Sequence, residues 1–270
     1  VVLLTMLVPA RLLAEDIRVD VELILAVDVS RSMSPRELEI QRRGYAEALV
    51  SQEVTDAIAR GRYKQIALTY LEWAGAFSQR EIVGWTLIRT PEDAQAFAAK
   101  LTAQFNTALR RTSISGVIDH SRSLFNLNGF NGLNHVLDIS GDGPNNMGRR
   151  VTEARDQAVN RGITINGLPL MTKEGLGAQW HLDDLDQYYR HCVIGGPAAF
   201  VIPVLEWEHF PAAVRRKMIL ELVGAPPAPG TGAIWCEAAV PASSNNTRQP
   251  SSSVSRLASS RISFPARSSM

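Results

Sequence analysis

Cysteine is scarce: the 270-residue chain has two, Cys192 and Cys236, so no disulfide framework can organise the fold. Excess charge of either sign is also missing. With 28 Lys and Arg against 27 Asp and Glu, the net charge of +1 offers no broad basic face for a phosphate backbone, and nucleic acid is not expected as a partner. Long apolar runs are absent too. The longest apolar stretch, residues 1–14 (VVLLTMLVPARLLA), is too short for a stable membrane span and about right for the core of a signal peptide. The five histidines show no H-x-x-x-H or H-x-E spacing, which argues against zinc. Nor is there a G-x-S-x-G elbow, a G-x-x-x-x-G-K-[ST] loop or a G-x-G-x-x-G fingerprint.

What is present is ample core material, 45% hydrophobic residues, enough for one large domain or two small ones. The charge is unevenly placed. After Glu237 there is no acid and there are four arginines, Arg248, Arg256, Arg261 and Arg267, which leaves about −3 for everything before them.

From residue 18 to 223 strand-like and helix-like segments alternate. Residues 21–27 (VELILAV) read as a central strand buried on both faces. Ser34-Pro35 with Glu37 forms a capping box for the helix that follows. Residues 65–73 and 81–88 read as a hairpin. Thr90-Pro91 opens a helix with Ala94, Phe97, Ala98, Leu101 and Phe105 on one face, and Ile114, Val117, Ile118 and Phe125 repeat that spacing. A strand over 134–139, a helix stopped by Gly162 and a strand over 163–170 follow. A helix over 183–192, a strand over 199–204 and a helix over 212–223 complete the series. The expected fold class is therefore α/β: a doubly wound, mostly parallel sheet flanked by helices. Residues 225–270 turn Pro-rich, then Ser-rich, with eleven serines in the last thirty residues, and read as a disordered tail.

In an open parallel sheet ligands bind beyond the carboxyl ends of the strands. The first such loop reads Asp28-Val29-Ser30-Arg31-Ser32, which puts three oxygen groups on one tight turn. A second offers the Thr112 hydroxyl just before a helix. The third, Ser140-Gly141-Asp142-Gly143-Pro144, sets a carboxylate between two glycines. Asp28, Ser30, Ser32, Thr112 and Asp142 thus form an all-oxygen set with two negative charges, suited to Mg²⁺ (or Mn²⁺) rather than to a metal that prefers nitrogen and sulfur.

The order D-x-S-x-S, then T, then D resembles the metal-ion-dependent adhesion site (MIDAS) of von Willebrand factor type A domains, a Rossmann-like fold, over about residues 18–223. SGDGPNN and the later CVIGGPAAFVIP look like a bacterial family of exported A-type proteins of unknown function. The resemblance implies that the serines and the threonine bind metal directly or through water. The aspartates would bind it directly or hold its waters, with one position left for an acidic group on a protein ligand. It also implies a periplasmic or extracellular location.

One departure stands out: Arg110 and Arg111 precede Thr112 where many members carry glycines. Two cations there would weaken metal affinity or recruit an anionic ligand. The expected function is a non-enzymatic, cation-dependent protein-binding module. The alternatives are a metal-dependent phosphoesterase and a structural domain with a degenerate metal site. Asp138, inside a strand, reads as a satisfied buried carboxylate, and Asn145 and Asn146 as turn formers or rim residues. The residues leave the pairing of Cys192 with Cys236 and the oligomeric state open.

Overall fold

A computed structural model describes residues 15–103, 109–126, 128–172, 182–224 and 236. The expectations for residues 1–14, and for 225–270 apart from Cys236, lie outside the described residues.

Five strands form one sheet: β1 (Ile17–Asp28), β2 (Ile66–Trp73), β3 (Gln79–Ile88), β4 (Phe130–Gly141) and β5 (Ile163–Pro169), in the order β3-β2-β1-β4-β5. Strands β2, β1, β4 and β5 run parallel, and β3 returns antiparallel to β2 as the expected hairpin. β1 is central because every one of its residues from Val19 to Asp28 is buried, which suits a run with helices on both faces.

Alternation along the strands sorts the core into two halves. Leu23, Leu25, Leu68, Tyr70, Val136 and Leu168 face α1 (Pro35–Leu49), α2 (Gln52–Ala59), α3 (Pro91–Thr102) and α7 (Phe210–Val223). Ile24, Ala26, Leu71, Leu137, Ile139 and Ile165 face α4 (Ile114–Leu124), α5 (Val151–Val159) and α6 (Leu185–Tyr188). The capping box of α1 is formed: the Ser34 amide donates to Glu37 Oε2 at 2.6 Å and the Glu37 amide to Ser34 Oγ at 3.3 Å. Trp207 Nε1 donates to the other Glu37 oxygen at 3.1 Å, so the cap also anchors the start of the last helix.

Three segments differ from the sequence reading. The strand expected over 199–204 is not formed. That stretch meets β5 and the residue after it through bridges at Val201 and Val204, with the Ile202 and Val204 amides donating to Gly167 O and Pro169 O at 3.0 Å. The bond between these two, from residue 169 to Ile202 O, is lost because Pro169 has no amide to donate, and the ladder cannot run on. The helix expected over 183–192 is the single turn α6 continued by a wider π-turn, Tyr189–Val193. Helix α2, which the sequence reading passes over, buries Val54, Ala57 and Ile58 at offsets 0, 3 and 4. Cys192 on the π-turn is disulfide-bonded to Cys236, with their Cα atoms 5.3 Å apart, so Cys236 is tied to the domain.

Candidate functional site

The three loops singled out in the sequence meet at the carboxyl edge of β1 and β4. β1 ends on Asp28, in register with Trp73 of β2, and the next amide, Val29, still donates to Trp73 O at 2.9 Å. The chain then turns tightly. The Ser30 amide donates to Asp28 Oδ1 at 2.7 Å, and Ser30 Oγ lies 2.9 Å from Ser32 Oγ. Gln41 of α1 donates to the Asp28 carbonyl at 3.1 Å, which fixes the strand end from below.

The second loop is stitched to the first and the third. The Leu109 amide donates to Val29 O at 2.7 Å, setting residue 109 beside Ser30. Thr112 and Asn146 exchange two bonds: the Thr112 amide donates to Asn146 Oδ1 at 3.0 Å and the Asn146 amide to Thr112 O at 2.9 Å. Asn145 Oδ1 accepts from the Ser115 amide at 3.0 Å, and Ser113 Oγ caps α4 while donating to Met147 O at 2.8 Å. Asn145 and Asn146, read from sequence as turn formers or rim residues, are the clasp between loops two and three.

The third loop passes directly over Asp28. A methyl group placed on Gly141 would lie 3.0 Å from Asp28 Oδ2 and 2.7 Å from the Tyr189 hydroxyl, so only glycine lets the strand end approach both. Gly167 on β5, on the same sheet face, makes the matching space for the ring: a methyl there would meet Tyr189 Cδ1 at 2.7 Å. Tyr188, the residue before, accepts from the Asn145 amide through its hydroxyl at 3.2 Å. The sequence reading placed this Tyr-Tyr pair on a helix and assigned it nothing. The end of α6 and the π-turn that continues it bring the two rings to the edge.

Asp28 is fully buried, and its Oδ2 has no hydrogen-bond partner; the Tyr189 hydroxyl is likewise buried and unpartnered. Burial first, then the negative charge of Asp142, pushes the Asp28 carboxyl well above its usual range, against the opposing hydrogen bonds from Ser30 and from the Asp142 backbone. Burial and then the charges of Asp28 and Asp142 push the Tyr189 phenol up in the same way. A buried carboxylate with an orphaned oxygen beside a second acid is the arrangement that a cation relieves. The oxygen-only donor set of Asp28, Ser30, Ser32, Thr112 and Asp142 fits a hard divalent ion. Among the described residues no three His, Cys, Asp or Glu side chains gather to hold a metal, so any ion here would depend on the hydroxyls.

Residues 18–226 match the model of a family described as "Protein of unknown function (DUF1194)". The chain belongs to this family. No curated protein matches the sequence. The pilus adhesin SpaC from Lactobacillus rhamnosus GG superposes with a TM-score of 0.55 at 11% identity, covering 76% of this chain and 31% of its own. Proximal thread matrix protein 1 from the mussel byssus, in a structure with a zinc-occupied MIDAS motif, gives 0.51 at 14% identity, covering 78% and 50%. A von Willebrand factor type A protein from Catenulispora acidiphila aligns more loosely, at 0.47 and 13% identity over 76% and 43%. The chain thus spans a third to a half of the length of these proteins. At such identities the likeness concerns the fold, and the doubly wound, mostly parallel sheet flanked by helices expected from the sequence is the fold found. Among the described residues no helix is long and apolar enough to cross a membrane.

Proposed function

We propose that this protein is an exported, non-enzymatic module that binds a protein ligand through a divalent cation, Mg²⁺ or Mn²⁺, held by Asp28, Ser30, Ser32, Thr112 and Asp142. The observation that carries the reading is the fully buried Asp28 carboxylate, whose Oδ2 has no partner and whose neighbour across the edge is another acid. A group in that state is costly unless a positive charge joins it. The Ser30 and Ser32 hydroxyls, 2.9 Å apart on the same turn, are placed as neutral donors, and the clasp of Asn146 on Thr112 keeps the second loop at the same edge. A bound cation would supply Lewis acidity toward one anionic group from outside, while the chain's own residues fix its place and screen it from below.

The same reading takes residues 18–223 as the module and residues 1–14 as the export signal, with the protein in the periplasm or outside the cell. The fold shared with a pilus adhesin and a byssus matrix protein supports an adhesive role outside the cytoplasm.

The test is calorimetric titration of the full chain with Mg²⁺ and Mn²⁺ beside Asp28→Asn, which keeps the shape and the bond from Ser30 while removing the charge. The wild type is expected to bind at millimolar or lower concentration and the variant not to bind. Equal behaviour of the two would remove Asp28 from the site and the reading with it.

A further inference from the structure

The rim of this edge carries positive charge that no ion pair among the described residues neutralises. Arg31 lies between Ser30 and Ser32, while Arg110 and Arg111 fill the loop between Leu109, bridged to Ser30, and Thr112, clasped by Asn146. All three are exposed, and among the described residues none has an ion-pair partner. Arg111 also adopts the left-handed backbone region, φ 74°, where a glycine would sit without strain.

Beside these arginines stands an apolar tip. Phe77, on the turn joining β2 to β3, is 94% exposed, far more than a phenyl ring on an ordinary surface requires. The turn is seated against the arginine loop. The Ser113 amide donates to Ala74 O at 2.7 Å, and a methyl on Gly75 would lie 3.1 Å from Arg110 O and 3.5 Å from both Arg111 Cβ and Met147 Sδ. Met147 is itself 37% exposed, so the Phe77 turn and the arginine loop, held against each other at Gly75, present both apolar and cationic groups.

We infer that this rim docks an acidic peptide segment of a partner protein, one that carries several carboxylates and an apolar side chain next to them. The inference rests on the proposed cation site and extends it. Two site carboxylates balance a divalent ion, so a single ligand carboxylate on the ion would still leave most of the guanidinium charge uncompensated. A segment with further acids neutralises them, and its apolar side chain covers Phe77 and Met147. Charges placed this way act on encounter rate and choice of partner.

The probe is a short fluorescent peptide of alternating Glu and Ser with one central Leu, measured by anisotropy against the full chain with Mg²⁺ or with EDTA. The controls are the same peptide with Gln for Glu and a single-stranded oligonucleotide of equal charge. Arg110→Glu with Arg111→Glu is expected to weaken peptide binding about tenfold or more, and Phe77→Ser to weaken it several-fold. Both variants should melt like the wild type, since the side chains changed are exposed. Their calorimetric Mg²⁺ affinity should be kept, or tightened in the arginine variant.

Equal binding of the Glu and Gln peptides, or no loss on charge reversal, overturns the inference. Loss of peptide binding with EDTA but not with charge reversal leaves the cation reading standing and removes the rim. Arginine-dependent binding that ignores EDTA does the reverse. Preference for the oligonucleotide overturns the partner assigned.

Discussion

Asp138 and Asp28 lie on neighbouring strands of one sheet, both fully buried, and their surroundings differ in one respect that decides what each can do. Asp138 faces α1 and α7, where Lys217 Nζ lies 2.7 Å from its Oδ1 and Tyr45 reaches its Oδ2 at 3.5 Å. Lys217 also pairs with Glu221, which accepts from Asn166 at 3.1 Å, and the Phe200 ring centroid lies 5.5 Å from the ammonium. A buried cation thus answers Asp138 from within the fold. Asp28 faces the opposite side, and its Oδ2 meets a phenol hydroxyl and an acid instead of a cation. Burial alone therefore does not mark a functional carboxylate; the missing counter-charge does.

The largest test of this contrast removes the counter-charge where it exists. Lys217→Met should leave Asp138 and Glu221 facing each other without a cation and destabilise the domain by about 3–5 kcal/mol in urea unfolding. Adding Asp138→Asn and Glu221→Gln should restore most of the loss, since the remaining groups are neutral. A cost below about 1 kcal/mol would mean that the Lys217 cluster is not the closed ion pair described.

Supplying a counter-charge where none is present should have the opposite sign. Mg²⁺ at a hundred times its dissociation constant is expected to stabilise the wild type by about 2.7 kcal/mol. Asp28→Asn should raise the stability of the metal-free protein by about 1 kcal/mol near pH 7 and abolish the response to Mg²⁺. Thermal unfolding with and without the ion reads both. A metal-free variant less stable than the wild type would make Asp28 a structural carboxylate like Asp138.

Sequence patterns carried the scaffold well because they are local. Apolar runs bounded by caps and glycines placed β1 to β5, and Ser34 with Glu37 marked α1 before any contact was known. Order along the chain also led to the five candidate ligands, because strand ends in a parallel sheet share one edge. What stayed hidden is what depends on distant partners. Lys217 lies far along the chain from Asp138, and nothing around it in sequence distinguishes a buried lysine from a surface one. Tyr189 reaches the edge only because a π-turn rotates it there and Gly141 and Gly167 leave room. The 199–204 stretch misled because its apolar pattern suits a strand, while Pro169 on the facing strand has no amide to continue the ladder.

A smaller effect follows from pH. Burial raises the Glu221 carboxyl from 4.5 to about 7, with Lys217 opposing the shift and Asp138 adding to it. Between those values the folded state holds a proton that the unfolded chain has released. The stabilisation is complete below pH 4.5 and is lost as pH rises through about 7. Burial shifts Asp138 and Asp28 in the same direction, so all three contribute with one sign. Glu221→Gln should flatten the decline by on the order of 2 kcal/mol, seen in urea midpoints from pH 5 to 8. An unchanged slope would assign the pH response to Asp138 and Asp28 instead of Glu221.

The smallest effect concerns the phenol that faces Asp28. Tyr189→Phe removes one oxygen from a ring that Gly141 and Gly167 hold in place, so packing should survive. A buried hydroxyl without a partner earns nothing for the metal-free fold, and its loss should change stability by less than about 1 kcal/mol, in the stabilising direction. If the hydroxyl instead orients Asp28 Oδ2, directly or through a water, the variant should bind Mg²⁺ more weakly by about two- to fivefold while Gly167→Ala, which displaces the whole ring, weakens it further. Calorimetry on the two variants separates these outcomes. Unaltered metal affinity in Tyr189→Phe together with a loss in Gly167→Ala would make the ring a wedge that holds β4 and β5 at the proper spacing and leave Asp28 positioned by Ser30 alone.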